Sequence, residues 1–403
     1  MTTAEAAGGS LKKWLALSLI VLLAASSTAA VATYYLTAKV EADVYVGVSF
    51  CGDTAAEAKL LIDRVKDYTN LFVLQSGPIS RNETATTEIC DYAVDAGLKI
   101  IVYFGDLTES KLTDDLIWRL TWVNTTRYRW GDHFLGVYYY DEPGGQQIDC
   151  NWRENNVLHW NVTVDKRDYD QIAYLFNMGF QRDEGFQFAK AESPALFISD
   201  YALYWWDYMV GYDMVFAQAG WNHSLAQSIG LVRGAARLQG KSWGTIVTWK
   251  YSEEPYLDTG EAIYGQMRTA YEAGAEYIVV FNYPVLEGDV YGGAMTDKHF
   301  EALERFWNEV ARSPFVVHGG VEADAALVLP RNYGWGMRNP EDKIWGWWGP
   351  DDKSPQIWNI SQQLLAEYGT HLDMVYDDPA FPAAGVYKTV YYWNQTLPLD
   401  FGG

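Results

Sequence analysis

The sequence predicts an α/β fold: a (β/α)8 TIM barrel over residues 44–313, followed by a small α/β appendage over 314–403. Three observations lead there. Apolar runs alternate with helix-like stretches eight times in about 270 residues, the count and length that such a barrel needs. The runs are continuously apolar rather than alternating, so both faces are buried, as a parallel sheet requires. Hydrophobic residues make up 49% of the chain and charged residues 20%, enough for a large core. An open doubly wound sheet is the competing arrangement. It asks for a glycine-rich turn after the first strand, and Cys51-Gly52-Asp53 does not supply one.

The first strand, 44–50, is β-branched and aromatic, and a helix over 55–68 follows with Leu60, Leu61 and Val65 on one face. Residues 71–75 form the second strand, 84–98 a helix closed by a glycine, and 99–104 the third strand, which runs into Gly105-Asp106. The next helix starts near Thr113 and carries Leu116, Ile117, Leu120 and Val123 at helical spacing. The fourth strand, from Phe134, runs through Tyr140 straight into Asp141-Glu142-Pro143 and a loop. The longest excursion comes next, with a Trp- and Asn-rich loop at 151–163 and a helix near 168–178. The fifth strand, 195–199, leads into Asp200-Tyr201; after a helix over 203–210, the sixth, 212–217, ends near Gln218. Asn222 or Ser224 caps a helix reaching about Leu238. The seventh strand, 243–249, is followed by Lys250-Tyr251-Ser252-Glu253-Glu254-Pro255, and a helix over 261–273 leads to the eighth, 276–281, which ends in Asn282-Tyr283. A helix over 297–312 closes the barrel. In the appendage, 325–330, 372–376 and 387–391 read as strands and 354–368 as a helix, with Trp335, Trp345, Trp347 and Trp348 in the connecting loop.

A net charge of −22 repels phosphate backbones and argues against nucleic acid as a partner. Aromatic residues reach 16%, with 18 Trp and 29 Tyr; this exceeds a core's needs and points to exposed flat surfaces on which sugar rings stack, with an aromatic-rich core and lipid-facing rim as the alternative. Lys12 and Lys13 precede an apolar, uncharged run over 14–36, which reads as a signal peptide or signal anchor, with 37–43 as a linker. Ala30-Val31-Ala32 offers a cleavage pattern, whereas the length of the run favours an uncleaved anchor. Both place the bulk of the chain outside the cytoplasm, secreted or tethered to the membrane through this segment. Six N-x-S/T sequons, at Asn82, Asn124, Asn161, Asn222, Asn359 and Asn394, agree with a glycosylated extracellular surface. Three cysteines allow one pair, and Cys51 and Cys150 both lie near strand ends on the same side. With no C-x-x-C, H-E-x-x-H or phosphate-binding glycine loop, no metal or cofactor is expected.

In a barrel the strand ends converge on one mouth, where the chemistry resides. Here they bring Gln75, Tyr103, Asp106, Tyr140, Asp141, Glu142, Asp200, Tyr201, Gln218, Trp249, Lys250, Tyr251, Asn282 and Tyr283. Carboxylates and amides hydrogen-bond hydroxyl-rich ligands and rings stack on them, so the expected substrate is a carbohydrate. Glycosidic cleavage needs one protonated carboxyl for the leaving oxygen and a second group opposite it; a carboxyl separation of about 5–5.5 Å supports retention and about 6.5–9.5 Å inversion. The bland alternatives are a turn at Asp141-Glu142-Pro143, a solvated loop at Glu253-Glu254, a Lys250 ion pair with Asp141 or Glu142, and a Trp-rich loop that merely covers the barrel.

The stretch Tyr140-Asp141-Glu142-Pro143 at the end of the fourth strand resembles the Asn-Glu-Pro or Asp-Glu-Pro signature of barrel glycoside hydrolases. That resemblance implies Glu142 as general acid/base. In the large retaining clan the nucleophile is a Glu at the end of the seventh strand, which implies Glu253 or Glu254. The adjacent acids also resemble those of barrel hexosaminidases, which use the substrate's acetamido group as nucleophile; this implies that Asp141 orients the acetamide. The wider pattern is similar to exported archaeal barrel proteins of uncharacterised activity. The expectation is an exported glycoside hydrolase acting on extracellular or cell-envelope glycan, with a non-catalytic carbohydrate-binding barrel as its rival.

Overall fold

The computed structural model describes residues 44–150 and 166–396. Eight parallel strands close into a barrel in sequence order: β1 Tyr45–Phe50, β2 Leu71–Leu74, β3 Lys99–Phe104, β4 Phe134–Tyr139, β5 Leu196–Asp200, β6 Met214–Ala219, β7 Ser242–Val247 and β8 Tyr277–Val280. Pairing of β1 with β8 completes the circle and excludes the open doubly wound sheet. The strands are buried almost throughout, as their unbroken apolar runs require. Between β3 and β4 the register slips at Ile100 and Ile101. Next to this slip stands Gly136, with φ of +152° and room for no Cβ, since one would lie 2.1 Å from the Ala195 carbonyl oxygen.

Several boundaries differ from the sequence expectation, each for a local reason. The helix expected from Thr113 begins at Trp118. The Thr113 hydroxyl instead donates to Asp115, a side-chain bond that competes with the helical backbone. Leu116 and Val123 are buried as expected, but Ile117 is 42% exposed, and Trp122 and Trp130 complete the buried face. Ser224 rather than Asn222 caps the helix Leu225–Gln239, accepting from Gln227 N. The segment after β4 is not a loop but the short helix Pro143–Asp149. An additional helix, Glu184–Glu192, follows Tyr169–Arg182 and is capped by Asp183.

The second sheet has the order β10-β9-β11, all parallel: β9 Ala325–Leu329, β10 Leu372–Tyr376 and β11 Thr389–Tyr392, with the helix Ser354–Tyr368 packed on it. It sits on helix Leu225–Gln239 of the barrel. At Gly230 and Gly234 a Cβ would lie 2.7 and 2.9 Å from the Leu372 and Met374 carbonyl oxygens, so the close approach needs glycine. Between them Arg233 projects into the joint and donates from Nε to Asp373 at 2.8 Å and from Nη2 to the Thr370 carbonyl at 2.6 Å. The Tyr387 hydroxyl donates to the other Asp373 oxygen at 2.9 Å, so this buried carboxylate is fully engaged and β11 starts two residues later than expected.

The aromatic surplus turns out to be mainly core. Trp206, Trp335 and Trp345 are fully buried, and Trp347 and Trp348 nearly so; the Trp-rich loop covers the barrel rather than offering flat surfaces. The Cys51–Cys150 pairing that the sequence allows is not formed, all three cysteines being free, and burial pushes the Cys51 thiol up to about 12. The apolar run 14–36, the linker 37–43, the loop 151–163 and Asn161 lie outside the described residues. No helix of the described residues is long and apolar enough to cross a membrane. The five described sequon asparagines are all exposed.

Removing one partner of the buried Arg233–Asp373 pair strands the other charge. Asp373→Ala is therefore expected to destabilise the chain by about 3–5 kcal/mol in urea unfolding, and the double change Arg233→Met with Asp373→Leu to cost clearly less. Equal losses would show that the pair is not the source of the effect.

Candidate active site

The site is built where β4 leaves the barrel. Tyr140 and Glu142 both adopt the left-handed region, φ 62° and 50°, a strained pair for residues with side chains. This alternation lets Tyr140 swing outward to donate to Asp183 at 2.8 Å while Asp141 and Glu142 face the mouth. Pro143 then starts the short helix, a position where its missing N–H has no cost.

What pins this turn is Asp200, at the end of β5 and wholly buried. Its carboxylate accepts from the backbone N–H of Gly144 at 2.6 Å, Gly145 at 2.7 Å, Tyr201 at 2.7 Å and Ala202 at 3.2 Å. Both glycines are required, because a Cβ on Gly144 would lie 2.4 Å from the Ala202 carbonyl oxygen and one on Gly145 would enter the Tyr201 ring. Behind Asp200 lies Asp207, from helix Tyr204–Val210, also wholly buried and with no donor to either oxygen. Burial pushes both carboxyls up, Asp207 furthest, and Asp207 hydrogen-bonds Asp200. Two buried carboxylates cannot both ionise side by side, and the four N–H groups on Asp200 favour its ionised form while Asp207 has no such donors, so the proton of the pair belongs on Asp207.

A second network joins the two exposed-side acids. The Tyr138 hydroxyl donates to Asp141 Oδ1 at 2.8 Å, which commits its only proton. Ser199 Oγ, 2.7 Å away, must then donate to Tyr138, and Gln218 Nε2 donates to Ser199 at 3.3 Å. The other proton of that amide goes to Glu142 Oε1 at 2.5 Å. Among the described residues, Glu142 is thus held by one neutral side-chain donor and by no cation. Burial first, and the neighbouring Asp141 second, raise it from 4.5 to about 7. Burial raises Asp141 also, against the Tyr138 bond.

Asp141 and Glu142 line a cavity of about 560 Å³ together with Gln75, Tyr201, Gln218, Trp249 and Tyr283 from the sequence expectation. Tyr103 and Tyr140 face a second cavity of about 580 Å³ on the other side of Asp141. The remaining expected residues are elsewhere. Asp106 caps Thr108 N and pairs with Lys111; Asn282 is buried and receives Met295 N; Tyr251 is exposed. Lys250 does not reach either acid but faces Asp258 at 3.9 Å. Glu253 and Glu254 are exposed and line neither cavity, because β7 ends at Val247 and the chain turns away before reaching them. Asp200 acts from beneath the site rather than in it.

The sequence reading missed Trp221, His223, Asp149 and Arg338, all of which line the first cavity. Arg338 comes from the appendage and forks onto Asp149 at 2.8 and 2.7 Å while also binding Asp342. Gln147 donates to the Trp345 carbonyl at 2.8 Å, so the Trp-rich loop also holds the short helix. No sequence signal links residues two hundred positions apart, but Trp221 stands close enough to the end of β6 to have been included.

No protein-family model and no curated protein matches this chain. Solved structures resemble it in fold. A GH5_18 protein from Streptomyces cattleya, solved in complex with GlcNAc, shares 12% identity at a TM-score of 0.52, covering 87% of this chain and 98% of its own. An endo-1,4-β-D-mannanase from Thermotoga petrophila RKU-1 shares 9% at 0.38 over 66% of this chain and 99% of its own. A D-psicose 3-epimerase from Clostridium cellulolyticum H10 shares 11% at 0.38 over 66% of this chain and 97% of its own. At these identities the likeness is one of fold, the barrel found in glycoside hydrolases among other enzymes.

The Asp200–Asp207 arrangement makes a discriminating prediction. Asp207→Asn keeps a donor toward Asp200 and is expected to cost less than about 1 kcal/mol, whereas Asp200→Asn turns an amide donor against the gathered N–H groups and is expected to cost about 2–4 kcal/mol. Urea unfolding at neutral pH checks this; an Asp207→Asn loss as large as that of Asp200→Asn would contradict the shared proton.

Proposed function

We propose that this chain is an extracytoplasmic glycoside hydrolase that cleaves N-acetylhexosamine linkages in extracellular or cell-envelope glycan. One observation carries the mechanism: the carboxylates lining the first cavity, Asp141, Glu142 and Asp149, all come from a single nine-residue segment on one side of the mouth. Among the described residues no carboxylate faces them from the β7 side, where a protein nucleophile would stand. Asp149 is committed to Arg338 and to the Tyr201 hydroxyl. The nucleophile is then the substrate's own acetamido oxygen.

In the first step Glu142, protonated near neutrality, gives its proton to the glycosidic oxygen as the C1–O bond breaks. The acetamido oxygen attacks C1 and closes an oxazolinium ring, whose N–H is held by the Asp141 carboxylate. In the second step water adds to C1, its proton goes to the Glu142 carboxylate, and the ring opens to release the sugar with retained configuration. Gln218 supports the acid without ionising it, and the stacked Trp249 and Tyr283 offer a platform for the ring. The apolar run at 14–36 and the exposed sequons support export, with the run as signal or membrane anchor.

The lack of a facing carboxylate also favours a second reading, a carbohydrate-binding barrel without turnover. Turnover of aryl glycosides decides between them. Cleavage of an N-acetylhexosaminide, none of the matching 2-hydroxy sugar, and a loss of ~10²–10⁴-fold in Glu142→Gln support the hydrolase. Unchanged rates in that variant would remove Glu142 from the mechanism.

Because the acid must be protonated, kcat/KM is expected to fall as pH rises through about 7. Asp141→Asn should move that limb to lower pH, since it removes a cause of the raised value, and should slow the reaction through loss of acetamide alignment. The same group affects stability. Between pH 4.5 and about 7 the native chain holds a proton that the unfolded chain has released, so stability falls as pH rises through that window. Glu142→Gln is expected to be more stable than the parent by ~1–3 kcal/mol at pH 8 and no different at pH 4, measured by thermal unfolding.

A further inference from the structure

Asp141 stands in the wall shared by two cavities of nearly equal size, about 560 and 580 Å³. Each lies within the range that holds a small ligand, and together they exceed what one sugar ring fills. Both have aromatic walls. In the first, Trp249 and Tyr283 stack at 16° with ring centres 5.8 Å apart, and Trp221 stands edge-on to Trp249 at 5.5 Å; Trp221 and Tyr283 are 38% and 39% exposed. In the second, Phe180 meets Tyr140 edge-on at 5.9 Å, beside Tyr103. An enzyme that trimmed single residues from a chain end would need one closed cavity, with a wall where the second one opens.

The charges of the two cavities are equally informative. Arg338 in the first is spent on Asp149 and Asp342. Lys111 in the second lies 3.5 Å from Asp106 and 3.7 Å from Asp183. Burial and Arg338 lower the His223 pKa, which disfavours its charged form. Each of these two cations is thus matched by two carboxylates, and Asp141 adds to the acidic side. Among the described residues, a uronate or sulfate placed here would meet carboxylates and no unpaired cation.

We propose that the substrate is an uncharged oligosaccharide lying across Asp141 with at least one residue in each cavity, so that cleavage is internal to the chain. This rests on the hydrolase reading above and specifies its substrate class. Binding energy from the second cavity then accelerates cleavage in the first.

The test uses the full chain with N-acetylglucosamine oligomers of two to six residues, in β-1,3, β-1,4 and β-1,6 linkage, and with hyaluronan oligomers, which carry the same amino sugar and a uronate on alternate residues. Expected are a kcat/KM about tenfold or more higher for a tetramer than for a dimer, internal fragments as first products, and hyaluronan cleaved at least about 100-fold more slowly. Phe180→Ala should erase most of the gain with length. Gln146→Trp, at an exposed position of the second cavity, should do the same by obstruction without opening the core. Dimers as good as tetramers, with monosaccharide released from an end, overturn the proposal; equal rates on hyaluronan overturn its charge selection. If no oligomer is cleaved, the hydrolase reading fails instead. Calorimetry then decides on the cleft alone: hexamer binding tighter than dimer and weakened by Gln146→Trp sustains it, and equal affinities end it.

Discussion

The geometry of the mouth depends on one buried carboxylate. Asp200 gathers four backbone N–H groups from two segments that are far apart in sequence, the start of helix Pro143–Asp149 and the end of β5. A fully buried anion is tolerable only when so solvated by dipoles, and here a protonated carboxyl, Asp207, adds a further donor. The turn it holds contains two left-handed residues, Tyr140 and Glu142, that no local preference would keep in place. The strain at the acid is thus stabilised from beneath by charge–dipole contacts, and Gly144 and Gly145 are glycines because side chains would lift the turn off that carboxylate.

The same arrangement explains why the pKa of Glu142 is raised to about 7. A carboxyl with a raised pKa needs burial and the absence of a cation. Two cations are close enough in sequence or space to spoil this, and both are diverted. Lys250 leans to Asp258, and Arg338 is divided between Asp149 and Asp342. Among the described residues, the side-chain donor to the Glu142 carboxyl is the neutral Gln218 amide. Its second proton runs through Ser199 and Tyr138 to Asp141, so the two acids are aligned by one chain of donors and a displacement of either is felt by the other.

How far this was legible in the sequence depended on range. The barrel was readable because each strand is a continuous apolar run followed by its own helix, and the acids at the end of β4 were readable because a strand names its own terminus. Strand ends also pointed to Gln218, Trp249 and Tyr283. What failed needed distances between elements. Glu253 seemed to belong to the β7 end, but the strand stops at Val247 and the loop carries the acids into solvent. Asp200 stands at the end of its strand, yet nothing in its sequence neighbours shows that backbone N–H groups fill its oxygens. The tryptophan count suggested exposed platforms because composition does not reveal that an appendage must be packed against the barrel.

That appendage is part of the site rather than an addition to it. Arg233 and Asp373 join it to the barrel's outer helix, while Arg338 and the Trp345 carbonyl reach over the rim to hold Asp149 and Gln147 of the short helix. The helix that begins at Pro143 is therefore gripped at its N-terminus by Asp200 from within the barrel and further along by the appendage from outside. A helix of seven residues has no stability of its own. Its two anchors fix where Glu142 points, and one of them belongs to a loop of the appendage that the barrel alone would not contain.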